Sequence, residues 1–87
     1  MMKPKIYSIP TCYYCNHLKE LLSNDNIDFI DVNVMLDENQ EEYKKIYEVT
    51  KSEDVPIIRI GKQLFVPDVS FKTIEEAADL VKKFINI

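Results

Sequence analysis

Apolar and polar positions alternate over Lys5-Ile6-Tyr7-Ser8-Ile9, which predicts a strand stopped by Pro10. Tyr14, Leu18, Leu21 and Leu22 then recur at helical spacing, so a helix is expected from near Cys12, fading at Asn24-Asp25-Asn26. Ile27 to Val34 is rich in β-branched residues and reads as a second strand. A helix between two strands makes a βαβ unit, so these strands should run parallel with a right-handed crossover. Asn39-Gln40-Glu41-Glu42 looks like a helix start, with Asn39 as cap and Glu42 reaching back to its amide. Tyr43, Ile46, Tyr47 and Thr50 would line one face of that helix. Two short strands follow, Ile57 to Ile60 and Lys62 to Val66, joined at Gly61-Lys62 by a two-residue hairpin turn with glycine first. The last helix is expected from Thr73 to Ile85, opened by a capping box of Thr73 and Glu76, with Ile74, Ala77, Val81 and Phe84 as its buried stripe.

The order βαβ, helix, hairpin, helix predicts an α/β domain with a small mixed four-stranded sheet and helices on both faces. At 87 residues one domain, 1–87, is expected. No repeat, low-complexity tract or Gly/Ser linker divides the chain, and its one glycine is Gly61.

The net charge of −4, with no clustering of Lys and Arg, argues against a nucleic-acid partner. No apolar run approaches the roughly 20 residues needed to cross a bilayer. The first ten residues lack the apolar region of a signal peptide, so a cytoplasmic protein is expected. In that compartment two cysteines point to redox chemistry or metal binding rather than to a permanent disulfide.

The candidate chemistry lies in Pro10-Thr11-Cys12-Tyr13-Tyr14-Cys15, where the first strand turns into the first helix. Two intervening residues put the sulfurs one helical turn apart, close enough to bridge. The unpaired amides and positive dipole end of a helix N-terminus stabilise a thiolate. Cys12, at the helix start, is the natural nucleophile. Cys15, a turn inside, is the natural resolving thiol. Electrons enter and leave as thiols, so no tightly bound metal or organic cofactor is implied. The competing reading is a zinc or iron–sulfur module. Structural zinc takes four ligands, whereas Cys12 and Cys15 have only His17 and carboxylates beside them. His17, two residues beyond Cys15, points away from the sulfurs and reads as a surface residue. Tyr14 fits either the apolar stripe of the helix or a substrate groove, and Tyr13 should be exposed.

These residues resemble a glutaredoxin, over nearly the whole chain. Beyond Pro-Thr-Cys-x-Tyr-Cys the most specific piece is Val55-Pro56, directly before Ile57-Ile58-Arg59-Ile60. The resemblance implies a thioredoxin-like fold and thiol–disulfide oxidoreductase activity with glutathione as co-substrate. It also implies a cis Pro56 beside the cysteine pair, with Val55 offering its backbone to an extended peptide or to glutathione. The expected partners are disulfide-containing proteins and glutathione, met by a monomer. Three positions depart from the family. Tyr13 replaces the usual proline after the first cysteine, and Ile9 replaces a basic residue. Val66-Pro67-Asp68-Val69-Ser70 replaces a Gly-Gly turn and acidic pair whose amides receive the γ-glutamyl end of glutathione. Pro67 has no N–H, which leaves the Asp68, Val69 and Ser70 amides as the candidate anion-binding turn. Lys51, Arg59 and Lys72 are the basic candidates for carboxylates. The weakened Gly-Gly site also fits small redoxins that supply ribonucleotide reductase and are recycled by thioredoxin reductase.

Overall fold

A computed structural model describes residues 3–85 of the chain. Its elements are β1 (Lys5–Ser8), α1 (Tyr13–Asn24), β2 (Ile30–Asn33), a 3-10 turn (Asp37–Asn39), α2 (Gln40–Thr50), β3 (Ile57–Ile60), β4 (Gln63–Phe65) and α3 (Ile74–Ile85). The sheet order is β2-β1-β3-β4, with β1 and β2 parallel and the other two pairings antiparallel. This is the mixed four-stranded sheet that the order of elements predicts.

Alternation along β1 and β3 divides the core in two. Ile6 and Ile58 face α1 and α3, where Leu18, Leu22, Ala77 and Val81 are buried. Tyr7 and Ile57 face α2, where Val32, Val34 and Ile46 complete a smaller cluster. One residue of register on either central strand would exchange these two sets, so the pattern fixes the pairing. Asp25 and Lys82 add an ion pair of 2.6 Å between α1 and α3.

The second strand is shorter than the predicted Ile27 to Val34. Asn26, at φ 58°, closes α1 in the left-handed conformation, and its amide bonds to Ser23 O at 3.0 Å. The Ile27 amide reaches Leu22 O at 2.9 Å, completing a Schellman motif that keeps residue 27 on the helix end. Pairing with β1 starts only at Ile30.

The start of α2 also departs from expectation. The Asn39 side chain caps nothing and donates instead to Asn33 O at 2.9 Å. Glu42 is taken up by the Tyr7 hydroxyl at 2.5 Å and Lys5 Nζ at 3.1 Å. A hydroxyl on the sheet and an ammonium are stronger calls on a carboxylate than a solvent-facing amide, so the capping box does not form. The box opening α3 does form: Glu76 N donates to Thr73 Oγ1 at 3.1 Å, and Thr73 N donates to Glu76 Oε1 at 3.0 Å. Phe84, expected in the α3 stripe, is half-buried against Phe65, while Ala78 and Ile85 are buried. Gly61 has φ 62°, as the hairpin turn requires.

Leu18 is wholly enclosed between α1, α3 and the sheet. Leu18→Ala should therefore cost about 2–5 kcal/mol, read as a lowered urea midpoint with an unchanged slope. A loss below about 1 kcal/mol would mean that this core closes around the cavity.

Candidate active site

The backbone leaves β1 at Ser8 and turns through Ile9-Pro10-Thr11, closed by Cys12 N donating to Ile9 O at 3.2 Å. Cys12 is extended at φ −82° and ψ 113° and occupies the N-cap of α1. The Cys15 amide donates to Cys12 Sγ at 3.1 Å, so the sulfur fills the place usually held by a Ser, Thr or Asp oxygen. Charge arising on this sulfur is met directly by the N-terminal dipole of α1.

The two sulfurs differ in surroundings. Cys12 is half-buried and its Sγ donates to Val55 O at 3.9 Å. Cys15 has no exposed surface. Burial pushes the Cys15 thiol up to about 12, and its hydrogen bond with Cys12 and the nearby Cys12 charge act in the same direction. The Ile9 backbone and the Lys19 ammonium oppose this, but do not outweigh it. Both cysteines are free thiols.

Val55-Pro56 is cis, as the resemblance implied. A groove of about 380 Å³ runs beside it, with walls that include Tyr14, Asp54, Val55, Pro56, Asp68 and Lys72. Tyr14 is 63% exposed. Of its two sequence readings the groove wall holds and the buried stripe does not. Tyr13 is exposed and meets Tyr14 edge to face at 5.7 Å. His17 stacks on Tyr13 at 6.2 Å and approaches Glu75 at 3.4 Å, away from the sulfurs. Among the described residues no three His, Cys, Asp or Glu side chains gather in a metal-binding cluster. No helix of the described residues is long and apolar enough to cross a membrane.

The turn at residues 66–70 requires a correction. Its three candidate amides are already hydrogen-bonded within the chain. Asp68 N donates to Phe71 O at 2.8 Å, and Ser70 N and Val69 N donate to Val66 O at 2.9 and 3.4 Å. Ser70 Oγ accepts the Val66 amide at 3.0 Å. The anion-binding turn expected of Asp68, Val69 and Ser70 is therefore absent, because the loop satisfies its own donors. Asp68 takes the positive φ, 66°, and brings its residue into the groove wall. Of the basic candidates only Lys72 reaches the groove. Arg59 Nε is bonded to Gly61 O, and Lys51 caps α2 over the Tyr47 ring. The sequence reading passed over Asp54, although its place directly before Val55-Pro56 was the available signal.

The glutaredoxin family model matches residues 5–65. An uncharacterized glutaredoxin-like 8.6 kDa protein in the rubredoxin operon of Clostridium pasteurianum is 42% identical over 62 residues, covering 71% of this chain and 80% of that one. Among solved structures, the chain resembles a glutaredoxin, grx-1, from Archaeoglobus fulgidus, with a TM-score of 0.69 and 20% identity over 94% of this chain and 88% of that one. It also resembles the dithiolic glutaredoxin 2-C-Grx1 of Trypanosoma brucei brucei, with a TM-score of 0.68 and 25% identity over 95% and 80% of the two chains.

The buried thiol has a consequence for stability. Cys15 ordinarily ionises near 9.0 but in the fold only near 12. Tyr7, raised by burial and then by its bond to Glu42, moves from 10.0 to about 12. Above pH 9 the unfolded chain gives up protons that the folded chain keeps. The stability is thus complete below about 9 and declines as pH rises towards 12. Urea midpoints of the reduced protein should fall across this window, and Cys15→Ala should remove the earlier part of the fall. A midpoint that stays level would show that neither group keeps its proton in the fold.

Proposed function

The chain belongs to the glutaredoxin family, and from that premise we propose that it reduces disulfides by thiol–disulfide exchange through Cys12 and Cys15. The observation that carries this reading is the asymmetry of the two sulfurs. One caps a helix next to Val55 of the groove, and the other lies fully enclosed one turn behind it.

In the first step the Cys12 thiolate attacks one sulfur of the substrate disulfide. A Cys12–sulfur bond forms as the substrate S–S bond breaks, and the departing sulfur leaves as a thiolate that takes up a proton. Cys15 then gives up its proton and attacks Cys12 Sγ, forming the Cys12–Cys15 disulfide and releasing the second substrate thiol. Two electrons pass from the dithiol to the substrate.

The electrostatics favour this order. While Cys12 carries charge, that charge and its hydrogen bond hold the proton on Cys15. Once Cys12 is bonded to substrate both influences vanish, leaving burial opposed by the Ile9 backbone and the Lys19 ammonium. Cys15 thus becomes easier to ionise when it is needed, and stays inert before then.

Disulfide-containing proteins are the proposed substrates, with glutathione as the co-substrate that returns the dithiol and no tightly bound cofactor. The reading places this monomer in the cytoplasm, where a reducing pool keeps both thiols free. A second reading has a specific observation behind it. The amides at 68–70 that would receive glutathione are spent internally. This favours a redoxin recycled by thioredoxin reductase that supplies electrons to ribonucleotide reductase.

Cys12→Ser should abolish disulfide reduction. Cys15→Ser should accumulate a stable mixed disulfide on Cys12, visible as added mass that a reductant removes. If Cys12→Ser retains turnover, the roles are misassigned. Recycling measured with NADPH then separates the donors. Turnover with glutathione and its reductase supports the first reading, and turnover only with thioredoxin reductase supports the second.

A further inference from the structure

The groove beside Cys12 has charges of its own, contributed by two separate segments. Asp54 stands on the segment entering Val55-Pro56, and Asp68 stands on the loop after β4. Neither carboxylate has a hydrogen bond or ion pair to another side chain among the described residues. Lys72 is the cation of the wall, so carboxylates outnumber ammoniums two to one. On the loop after β4 the backbone donors are spent: the Asp68, Val69 and Ser70 amides bond internally, and Pro67 has none. Val55 is part of the wall, and its carbonyl oxygen lies 3.9 Å from Cys12 Sγ, so a chain lying along the groove would pass close to the proposed nucleophile.

We infer that this groove selects an extended polypeptide whose reacting cysteine is flanked by a basic residue, held between Asp54 and Asp68. The inference rests on the exchange reading above and specifies its substrate class. An anionic tripeptide disulfide meets two carboxylates and one lysine, whereas a Lys or Arg beside the half-cystine meets unpartnered carboxylates in the groove lining. Apolar contact comes from Tyr14, Pro56 and Phe71. The reaction itself is unchanged: Cys12 Sγ bonds to the peptide sulfur and the other sulfur departs with the electron pair.

The test uses two N-acetylated, C-amidated peptides that differ only in Lys or Glu next to one cysteine. Each is activated with the same uncharged 2-pyridyl thiol, whose release is followed by absorbance. Rates are referred to those of 2-mercaptoethanol, which removes any intrinsic difference between the peptides. The reduced protein should release the pyridyl thiol from the Lys peptide about fivefold faster at low ionic strength, as two nearby charges in water would produce. Molar salt should compress this ratio. The ratio should approach one in the Asp54→Asn/Asp68→Asn double variant and widen in Lys72→Gln. Asn also tolerates the positive φ at 68, which keeps the loop conformation within reach.

Equal rates, or a faster Glu peptide, would overturn the inference while leaving the exchange reading intact. So would a preference that survives both Asp→Asn changes. Failure of both peptides to react, when 2-mercaptoethanol reacts with both, would overturn the exchange reading and the inference together.

Discussion

The hydrogen bond from the Cys15 amide to Cys12 Sγ is the contact around which the reactive end of the molecule is arranged. A helix needs its first amides satisfied, and here a sulfur does this. For that sulfur to sit at the N-cap, β1 must end at Ser8 and the chain must turn through Ile9 to Thr11. The same placement drives Cys15 into the first turn of α1, facing the sheet, where nothing of it remains exposed. A single local bond thus assigns one cysteine to the solvent side and the other to the interior.

The sheet supplies the rest by what it carries at its ends. Parallel pairing of β1 and β2 places the turn after β1 beside the turn after β2, and antiparallel β3 begins at that same end. Pro56 therefore enters β3 next to Cys12 although 43 residues separate Cys12 from Val55. The α3 capping box fixes where that helix starts, with Lys72 and Thr73 at the groove wall. On the opposite face of the sheet, the Tyr7–Glu42–Lys5 cluster ties α2 to β1 at the strand that leads into the reactive turn.

Much of this was legible in the residues. Alternation in Lys5–Ile9, the apolar run at 57–60 and the Thr73–Glu76 box each depend on nearest neighbours in sequence, and each appears in the fold. So does the separation of Cys12 from Cys15, which follows from one helical turn. The failures involve partners distant in sequence. Glu42 was expected to serve Asn39, three residues away, but Tyr7 and Lys5 from the sheet claim it. The strand expected from Ile27 begins late because Asn26 adopts a left-handed conformation. The amides at 68–70 looked available because their acceptors, Val66 O and Phe71 O, become neighbours only once the loop folds on itself. Tyr14 keeps helical spacing with Leu18 and Leu22, yet the helix begins beyond the edge of the core, so its ring overhangs the groove.

That the sulfur capping α1 is also the proposed nucleophile links two quantities usually measured apart. In the dithiol form Cys12 Sγ accepts the Cys15 amide, and in a disulfide the same atom has a covalent neighbour. Folding and oxidation therefore form a closed thermodynamic cycle. The amount by which the cap stabilises the folded dithiol more than the folded disulfide must reappear, with equal size, as a shift of the couple towards a stronger oxidant. In the proposed exchange the helix start is thus a setting for redox poise, because the contact that holds the helix also bears on the couple.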